Sequence, residues 1–515
     1  MRDVLDRQLG RVTMYRLVTI VLSALVVVMV VFTAAGTFTT PFTVKGEILA
    51  LVVLLTASYA SSRVLGLIWR VRPHAESSII TALLLWFIFW PSTKADDLVW
   101  LAVTALLANL SKYVLAWRGR HVFNPAASGS LLVVVAQDLV GRDLSINPTW
   151  WIASEKLLPF VAVAAFLVLW RTRRVDIAAL FILVAGVFTV IGLLDTTGGS
   201  FAEVLKSAAY SYPIVFIAGF MVIEPLTLPP RRRQQLFVAA VAAFVLAWPQ
   251  LTLVLGIEPI SVGVLFVSPE VALLVGNLVA FAMARRRGLD LELRETRQLT
   301  PETHELTFRT KRSMTFRPGQ YIELTVPHGG VDSRGSRRTF SISSPPNAEG
   351  DVKFALRVPE KSSSFKRALL ELEPGDTIRG TGVGGDFLWP SDSSKPLLLV
   401  AGGIGITPFL SQLRHEPGRD AVLVYGVSSA DEVPFTEELA GVRVVLVGPS
   451  SPGQLPDGWT YVEAPYLSAD LIAEAVPDLA GRQAFVSGPP AMVNAVRAGL
   501  SKRCVRLRTD YFTGY

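Results

Sequence analysis

Arg338-Thr339-Phe340-Ser341 and Ala401-Gly402-Gly403-Ile404-Gly405-Ile406-Thr407-Pro408 are the segments whose residue types and spacing suit redox chemistry. In an extended strand the first presents a guanidinium, an aromatic face and a hydroxyl at alternating or adjacent positions. Arg338 suits a pyrophosphate, Phe340 suits the face of an isoalloxazine ring, and the Ser341 hydroxyl suits a hydrogen bond where hydride arrives. For four residues alone, an arginine beside a core phenylalanine is the ordinary reading. The order and spacing of the segments downstream outweigh it.

Lys361-Ser362-Ser363-Ser364 precedes Phe365 to Leu370, a predicted helix that opens with hydroxyls, and helix N-termini hold phosphate. Pro374-Gly375-Asp376 and Gly382-Val383-Gly384-Gly385-Asp386-Phe387 are predicted turns that close a barrel. Earlier, Glu295 to Arg309 and Gln320 to Val326 alternate as strands, with Arg317-Pro318-Gly319-Gln320 as a turn between them. Lys395 to Val400 reads as a buried strand that runs into the glycine-rich turn and a helix, Pro408 to His415, as a dinucleotide-binding βα unit requires. Ser487-Gly488-Pro489-Pro490 ends the strand Gln483 to Val486, and Asp510-Tyr511-Phe512-Thr513-Gly514-Tyr515 is an aromatic terminus.

In this order the motifs resemble the ferredoxin–NADP reductase family, the FR-type FAD-binding oxidoreductases, over about residues 290 to 515. The resemblance implies an FAD motif of Arg338, Thr339, Phe340 and Ser341, with pyrophosphate contacts from Ser363 and Ser364. It implies a nicotinamide dinucleotide, NADH or NADPH, bordered by Gly402, Gly403, Gly405, Thr407, Gly488 and Pro489. Ser341 and Ser487 are the residues expected at hydride transfer, Ser487 standing where many members carry cysteine. Tyr515 and its aromatic neighbours are expected to cover the flavin until nicotinamide displaces them. After the second predicted strand of the nucleotide domain, Tyr425-Gly426-Val427-Ser428-Ser429-Ala430-Asp431 offers no arginine to a 2′-phosphate, which leans towards NADH. Arg414 and Arg419 are the cations that would oppose that lean from elsewhere.

The elements before residue 284 are of another kind. The chain has 515 residues, 51% of them hydrophobic, with a mean hydropathy of +0.45, and the apolar excess ends at Arg285-Arg286-Arg287-Gly288. The expected architecture is a polytopic α-helical membrane domain over 1–288, a soluble FAD-binding antiparallel β-barrel over 289–392, and a Rossmann-like α/β nucleotide-binding lobe over 393–515. Apolar windows suggest about ten spans, at 14–35, 46–69, 77–91, 97–117, 124–140, 157–170, 176–194, 208–224, 235–254 and 257–283. Three of these (77–91, 124–140 and 157–170) are short. The first run lacks a secretory cleavage site and reads as a retained span.

Loop charge supports that count. With a cytoplasmic N-terminus carrying Arg2, Arg7 and Arg11, the inner loops hold Arg70, Arg72, Arg118, Arg120, Arg171, Arg173, Arg174, Arg231 to Arg233 and Arg285 to Arg287. The outer loops hold only Lys45, Lys94, Arg142, Lys156 and Lys206. The positive-inside bias then places the C-terminal domain of a multi-pass cell-membrane protein in the cytoplasm. The same bias accounts for the net charge of +7, so no nucleic-acid partner is needed.

Cys504 is the only cysteine, which excludes thiolate-bound iron–sulfur clusters, cysteine zinc sites and internal disulfides. The five histidines, His74, His121, His304, His328 and His415, avoid the middles of the spans, so a paired-histidine haem wire lacks ligands. No metal site is expected.

Two polar segments border the spans: His121-Val122-Phe123-Asn124-Pro125-Ala126-Ala127 and Gly219 to Pro229, with Glu224-Pro225-Leu226-Thr227-Leu228-Pro229. Both resemble the membrane flavoprotein subunits of the Rnf complex and of the sodium-translocating NADH:quinone reductase. That resemblance implies that Asn124 and Glu224, beside the helix breaks at Pro125 and Pro225, line a flavin or quinone site. No Ser-Gly-Ala-Thr-type segment for covalent FMN is found, which leaves a second, non-covalent flavin such as FMN. The alternative for Asn124 and Glu224 is helix capping. Asn109, Gln137, Asp138, Glu270 and Asn277 read as interhelical hydrogen-bonding groups. The functional expectation is electron flow from NAD(P)H through FAD to a membrane-domain flavin or quinone-type acceptor. A membrane-anchored reductase serving a separate protein partner and a redox-driven ion transporter are the alternatives.

Overall fold

Long apolar runs interrupted by proline, glycine and charge set the helices of the first half of the chain. The computed structural model of the protein describes residues 9, 12–39, 41–71, 73–117, 120–141, 146–284, 288–311, 314–332, 335–347 and 350–512. Tyr515, expected to cover the flavin, lies outside the described residues. The chain divides into two units, Met1–Arg285 and Arg286–Tyr515.

The first unit is helical, with α1 (Met14–Ala34), α2 (Val44–Ile68), α3 (Ala75–Ile88), α4 (Ala95–Val114), α5 (Pro125–Leu139), α6 (Leu158–Thr172), α7 (Val175–Thr197), α8 (Phe201–Ser211), α9 (Ile214–Phe220), α10 (Arg232–Leu255) and α11 (Pro269–Ala284). Strand pairs β1 (Ala116–Trp117) with β2 (Arg120–His121) and β3 (Ser261–Val262) with β4 (Leu265–Phe266) interrupt them. Five helices, α1, α2, α4, α7 and α10, are long and apolar enough to cross a membrane by length and composition. The apolar helices α3, α5, α6 and α11 are shorter, at 10–17 residues.

Two expected spans are not single helices. The window 208–224 is split into α8 and α9 at Tyr212-Pro213, because proline has no N–H for the ladder and its ring blocks the preceding turn. The window 257–283 is helical only from Pro269; its first part is the β3–β4 hairpin, turned by Gly263 at φ +58°.

The second unit opens with an antiparallel sheet of β5 (Gly288–Gln298), β6 (Thr303–Thr310), β7 (Tyr321–Thr325), β8 (Arg337–Ser341), β9 (Asp351–Arg357) and β10 (Thr377–Gly384), in the order β8-β7-β10-β5-β6-β9. Glu295 to Arg309, read as one strand, is two strands joined through the turn at Pro301. Gly382, expected in a turn, lies inside β10 at a register shift between Thr381 and Val383, a bulge that bends the strand. Just past β8, the Ser343 N–H donates to Lys353 O at 2.9 Å, joining the two edges of the sheet. Leu291, Leu293, Leu306, Phe308, Ile322 and Phe354 fill its interior, and α12 (Ser364–Leu370) packs Phe365 and Leu369 into the same core.

The remainder is a parallel sheet of β11 (Leu397–Gly402), β12 (Ala421–Gly426), β13 (Arg443–Gly448), β14 (Trp459–Glu463), β15 (Gln483–Gly488) and β16 (Arg506–Tyr511), in the order β14-β13-β12-β11-β15-β16. Its central strand is apolar at every position because both faces are covered. Leu397, Leu399 and Ala401 enter one core and Leu398 and Val400 the other. Helix α13 (Thr407–His415) lies in the first core, and α14 (Ala469–Ala475) and α15 (Pro490–Leu500) lie in the second.

The barrel and the parallel sheet are latched through Glu432. Its carboxylate accepts from Thr300 Oγ1 at 2.6 Å, Glu302 N at 2.9 Å and Thr303 Oγ1 at 3.1 Å. Glu432→Ala leaves three donors to find water, an expected loss of about 2–3 kcal/mol, with faster amide hydrogen exchange at residues 300–303 as the measurement.

Candidate functional site

Strand β8 alternates, so Arg338 and Phe340 share one face and Thr339 and Ser341 the other. Its partner β7 sets Leu324 against Arg338, Ile322 against Phe340 and Tyr321 against Ser341. Arg338 is buried, with its guanidinium 5.2 Å from the centre of the Phe365 ring. Phe340 is half-buried and stacks on Phe365 with ring centres 5.9 Å apart and planes at 22°. Thr339 is exposed and Ser341 buried.

An internal carboxylate tests this cradle for an anion. Asp332 Oδ1 lies 3.5 Å from Arg338 Nη2, and Asp332 Oδ2 accepts the Ser364 N–H at 3.2 Å. The guanidinium and the first amide of α12 therefore converge on one anion, the donor set a flavin diphosphate needs. The Ser363 hydroxyl caps α12 by accepting from Lys366 N at 3.4 Å. Ser364 Oγ accepts from Asp332 N at 3.0 Å. Asp332 carries no motif signal in the sequence.

In the parallel sheet the strand order reverses between β11 and β15, and ligands bind at the carboxyl ends of strands at such a switch point. Gly402, Gly403, Gly405, Ser487, Gly488 and Pro489 all lie there. Gly403 has φ +51° and open space beside it; Gly405 meets the other loop, where a Cβ would stand 2.5 Å from Ser487 O and 2.6 Å from Gly488 Cα. Glycine is thus required at 405 for close approach. Ser487 is fully buried, and its hydroxyl has no hydrogen-bond partner among the described residues. Thr407 is buried and its hydroxyl donates to Ile404 O at 3.0 Å, so it shapes the turn.

Helix α13 fixes the two motifs relative to each other. Ser411 Oγ donates to Ser344 O at 2.7 Å, Gln412 Nε2 to Phe387 O at 2.8 Å and Arg414 Nη1 to Ser343 O at 3.3 Å. The helix that starts at the glycine turn is therefore bonded to the segment that continues β8. Asp510 sits across from Ser487 in the β15–β16 register. Its carboxyl is pushed up to about 6 by burial, with like-charge repulsion from Asp386 adding and the Tyr511 backbone N–H opposing.

In the helical unit Asn124 and Glu224 are brought together. Asn124 Nδ2 donates to Glu224 Oε2 at 2.9 Å, and Glu224 Oε1 is 2.8 Å from His121 Nε2. Asn124 also caps α5, its Oδ1 accepting from Ala127 N at 3.1 Å, while its own N–H donates to Asn277 Oδ1 at 2.7 Å. Arg120 Nη2 donates to Pro225 O at 3.0 Å, and Arg174 Nη1 donates to Ile223 O. His121 and Asn277 complete this cluster; the sequence showed them as polar residues near the spans, without their partners.

Gly405→Ala is expected to weaken nicotinamide nucleotide binding about tenfold by forcing the 487–488 loop away, with flavin retention unchanged, as read by equilibrium titration. Asp510 binds its proton more tightly folded than unfolded, so its contribution to stability falls as pH rises from about 4 to about 6 and is flat above. Because Asp510 keeps some solvent contact, Asp510→Asn should gain only about 1–2 kcal/mol at pH 7.5 and nothing at pH 4, measured by denaturant unfolding.

The family model described as "Oxidoreductase NAD-binding domain" matches residues 399–498. The reductase component of propane 2-monooxygenase from Mycolicibacterium smegmatis is 29% identical over 204 residues, 37% of this chain and 56% of that one. The reductase subunit of an aromatic O-demethylase from Amycolatopsis is 27% identical over 245 residues, 44% and 70% of the two chains. Ferredoxin–NADP reductase B of Sorangium cellulosum is 29% identical over 233 residues, 42% and 92%. Among solved structures, the Amycolatopsis cytochrome P450 reductase aligns at a TM-score of 0.37 with 25% identity, covering 44% of this chain and 70% of that one. The chain thus spans a little over half the length of the first of these relatives, 56%. With glycine turns at the sheet's switch point and an anion cradle beside Phe340, the C-terminal unit is similar to the oxidoreductase domains of these ferredoxin reductase-type relatives.

Proposed function

We propose that the chain is a membrane-bound flavoprotein oxidoreductase that takes hydride from NADH onto FAD and delivers electrons to a flavin- or quinone-type acceptor in its helical unit. The observation that carries the reductase part is the pinning of α13, which begins at the nucleotide turn, onto the Ser343-Ser344 segment behind the flavin motif. When bound, FAD would supply an acceptor for one hydride, whose two electrons it could release singly. The chain supplies charge, contact and orientation. Arg338 and the Ser364 amide neutralise the diphosphate, Phe340 offers a ring face, and Ser341 offers a hydroxyl at the reacting edge. Gly403 and Gly405 let the nucleotide approach the backbone, with Ser487 beside the nicotinamide.

The choice of NADH rests on where the cations are. No lysine or arginine occurs between Arg419 and Arg443, a stretch that includes the whole loop after β12. Arg414 is committed to Ser343 O and to Glu438 at 3.2 Å, and Arg419 to Asp392 O at 2.7 Å and Glu416 at 3.1 Å. On that loop a 2′-phosphate would find Ser428, Ser429, Asp431 and Glu432 and no cation. NADH should therefore exceed NADPH in kcat/KM by about tenfold or more, in steady-state assays of the full chain with ferricyanide.

The helical unit supports the membrane part through its five long apolar helices and the Asn124–Glu224–His121 cluster, which gathers the N-cap of α5, the segment after α9 and the end of β2. Polar groups held in such surroundings usually serve a site. The orientation expected from loop charge puts that cluster on the cytoplasmic side. A second reading is favoured by the relatives, which are reductase components: the helices anchor the domain, and electrons leave to a ferredoxin or an oxygenase component.

One experiment separates them. Full-length protein in liposomes containing a quinone is given NADH, and Glu224→Gln is compared with wild type. On the first reading quinone reduction falls about tenfold or more while ferricyanide reduction is unchanged. Equal quinone rates would support the anchor reading, and release of a second flavin by acid extraction would support an internal relay.

A further inference from the structure

We propose that Asp332 is an internal competitor for the flavin diphosphate and sets how tightly the chain holds FAD. The inference rests on the FAD reading given above. Asp332 uses both carboxylate oxygens on the donors that a diphosphate would need, Arg338 Nη2 at 3.5 Å and the Ser364 N–H at 3.2 Å. Its backbone is tied separately, with the Asp332 N–H on Ser364 Oγ at 3.0 Å. His328 Nε2 approaches the same hydroxyl at 3.0 Å, so the anchor does not depend on the carboxylate.

Exposure tells which partner moves. The Arg338 side chain is 6% exposed and that of Asp332 is 30% exposed. A guanidinium so enclosed needs a counter-ion at all times, because an unpaired buried charge is strongly destabilising. The arginine therefore stays and its anion is exchanged. The Asp332 side chain has solvent on one side and can turn outward about its own torsions while its backbone N–H stays on Ser364. Two anions cannot share the cradle, since a carboxylate and a diphosphate a few ångströms apart repel. FAD binding then costs the loss of the Asp332 contacts. The cradle is kept formed and neutral when no flavin is bound, and the flavin it holds is exchangeable.

Asp332→Asn removes the charge and keeps an oxygen for the Ser364 N–H. In the full-length chain stripped of flavin, its dissociation constant for FAD, read by quenching of flavin fluorescence, is expected to be about tenfold lower than wild type. Riboflavin has no phosphate and should bind both chains equally. Arg338→Ala in the Asp332→Asn background should abolish the gain. Equal FAD affinity in wild type and Asp332→Asn, or an equal gain for riboflavin, overturns the proposal. Weaker FAD binding by both Asp332→Asn and Asp332→Ser with wild-type thermal unfolding also overturns it, making Asp332 a support of the site. If no chain, wild type included, binds FAD, the FAD reading fails and this inference falls with it.

Discussion

The hydrogen bonds from α13 to the segment behind β8 are the constraint on which the C-terminal unit depends. Ser411 to Ser344, Arg414 to Ser343 and Gln412 to Phe387 join a helix of the parallel sheet to the backbone of the barrel. Hydride transfer tolerates little error in distance or angle. An orientation set by hydrogen bonds to main-chain carbonyls is stiffer than one set by apolar contact alone, because each bond has a narrow geometry. Glu432 on the loop after β12 and Arg508, which donates to Asp386 O at 3.0 Å and Leu388 O at 2.9 Å, add fixed points on other sides. The flavin motif and the glycine turn are thereby held in one frame.

Charge balance is the second theme of that unit. Arg338 sits over Phe365 with its charge matched by Asp332, and Arg482, buried at the start of β15, is matched by Asp420 at 2.8 Å and Asp478 at 2.6 Å. Both carboxylate partners of Arg482 reach solvent. The hydrogen bond from Arg482 holds the Asp478 carboxyl below the usual carboxylate range, and Arg482 itself is raised by the same bond. Such pairs preserve local geometry more than they add net stability, because desolvation offsets much of the attraction.

Several buried polar groups of the helical unit are paired with groups distant in the chain. Asn109 on α4 donates to Ser58 O at 3.0 Å and Ser61 Oγ at 3.0 Å on α2. Trp150 Nε1 donates to Glu270 Oε2 at 3.0 Å, and Thr33 Oγ1 to Glu47 Oε1 at 2.6 Å. Of the residues expected to make interhelical bonds, Asn109 does so; Glu270 meets Trp150 in the segment between α5 and α6, Asn277 meets the N-cap of α5, and Gln137 bonds Val133 in its own helix and Ile146 beyond it. Asn124 caps α5, the alternative set out for it, and its side-chain amide also donates to Glu224.

Much of this was legible in the residues. Period and apolarity alone marked β11, because a strand covered on both faces must be continuous Leu and Val, and the glycines after it marked the turn. The short windows 77–91, 124–140 and 157–170 are short helices. Hydropathy averaged over a window hides the single backbone breaks at Pro213 and Gly263, and glycine content alone does not separate the bulge at Gly382 from a turn. Tertiary structure alone decided what depends on residues distant in the chain. Asp332 meets Arg338 and Ser364, Ser411 meets Ser344, and His121 meets Glu224, each through a loop whose path no local pattern encodes. Local sequence determined the elements and the chemistry they carry, since propensity and periodicity act over a few residues. Which polar groups share a hydrogen bond was decided only when packing brought those elements together.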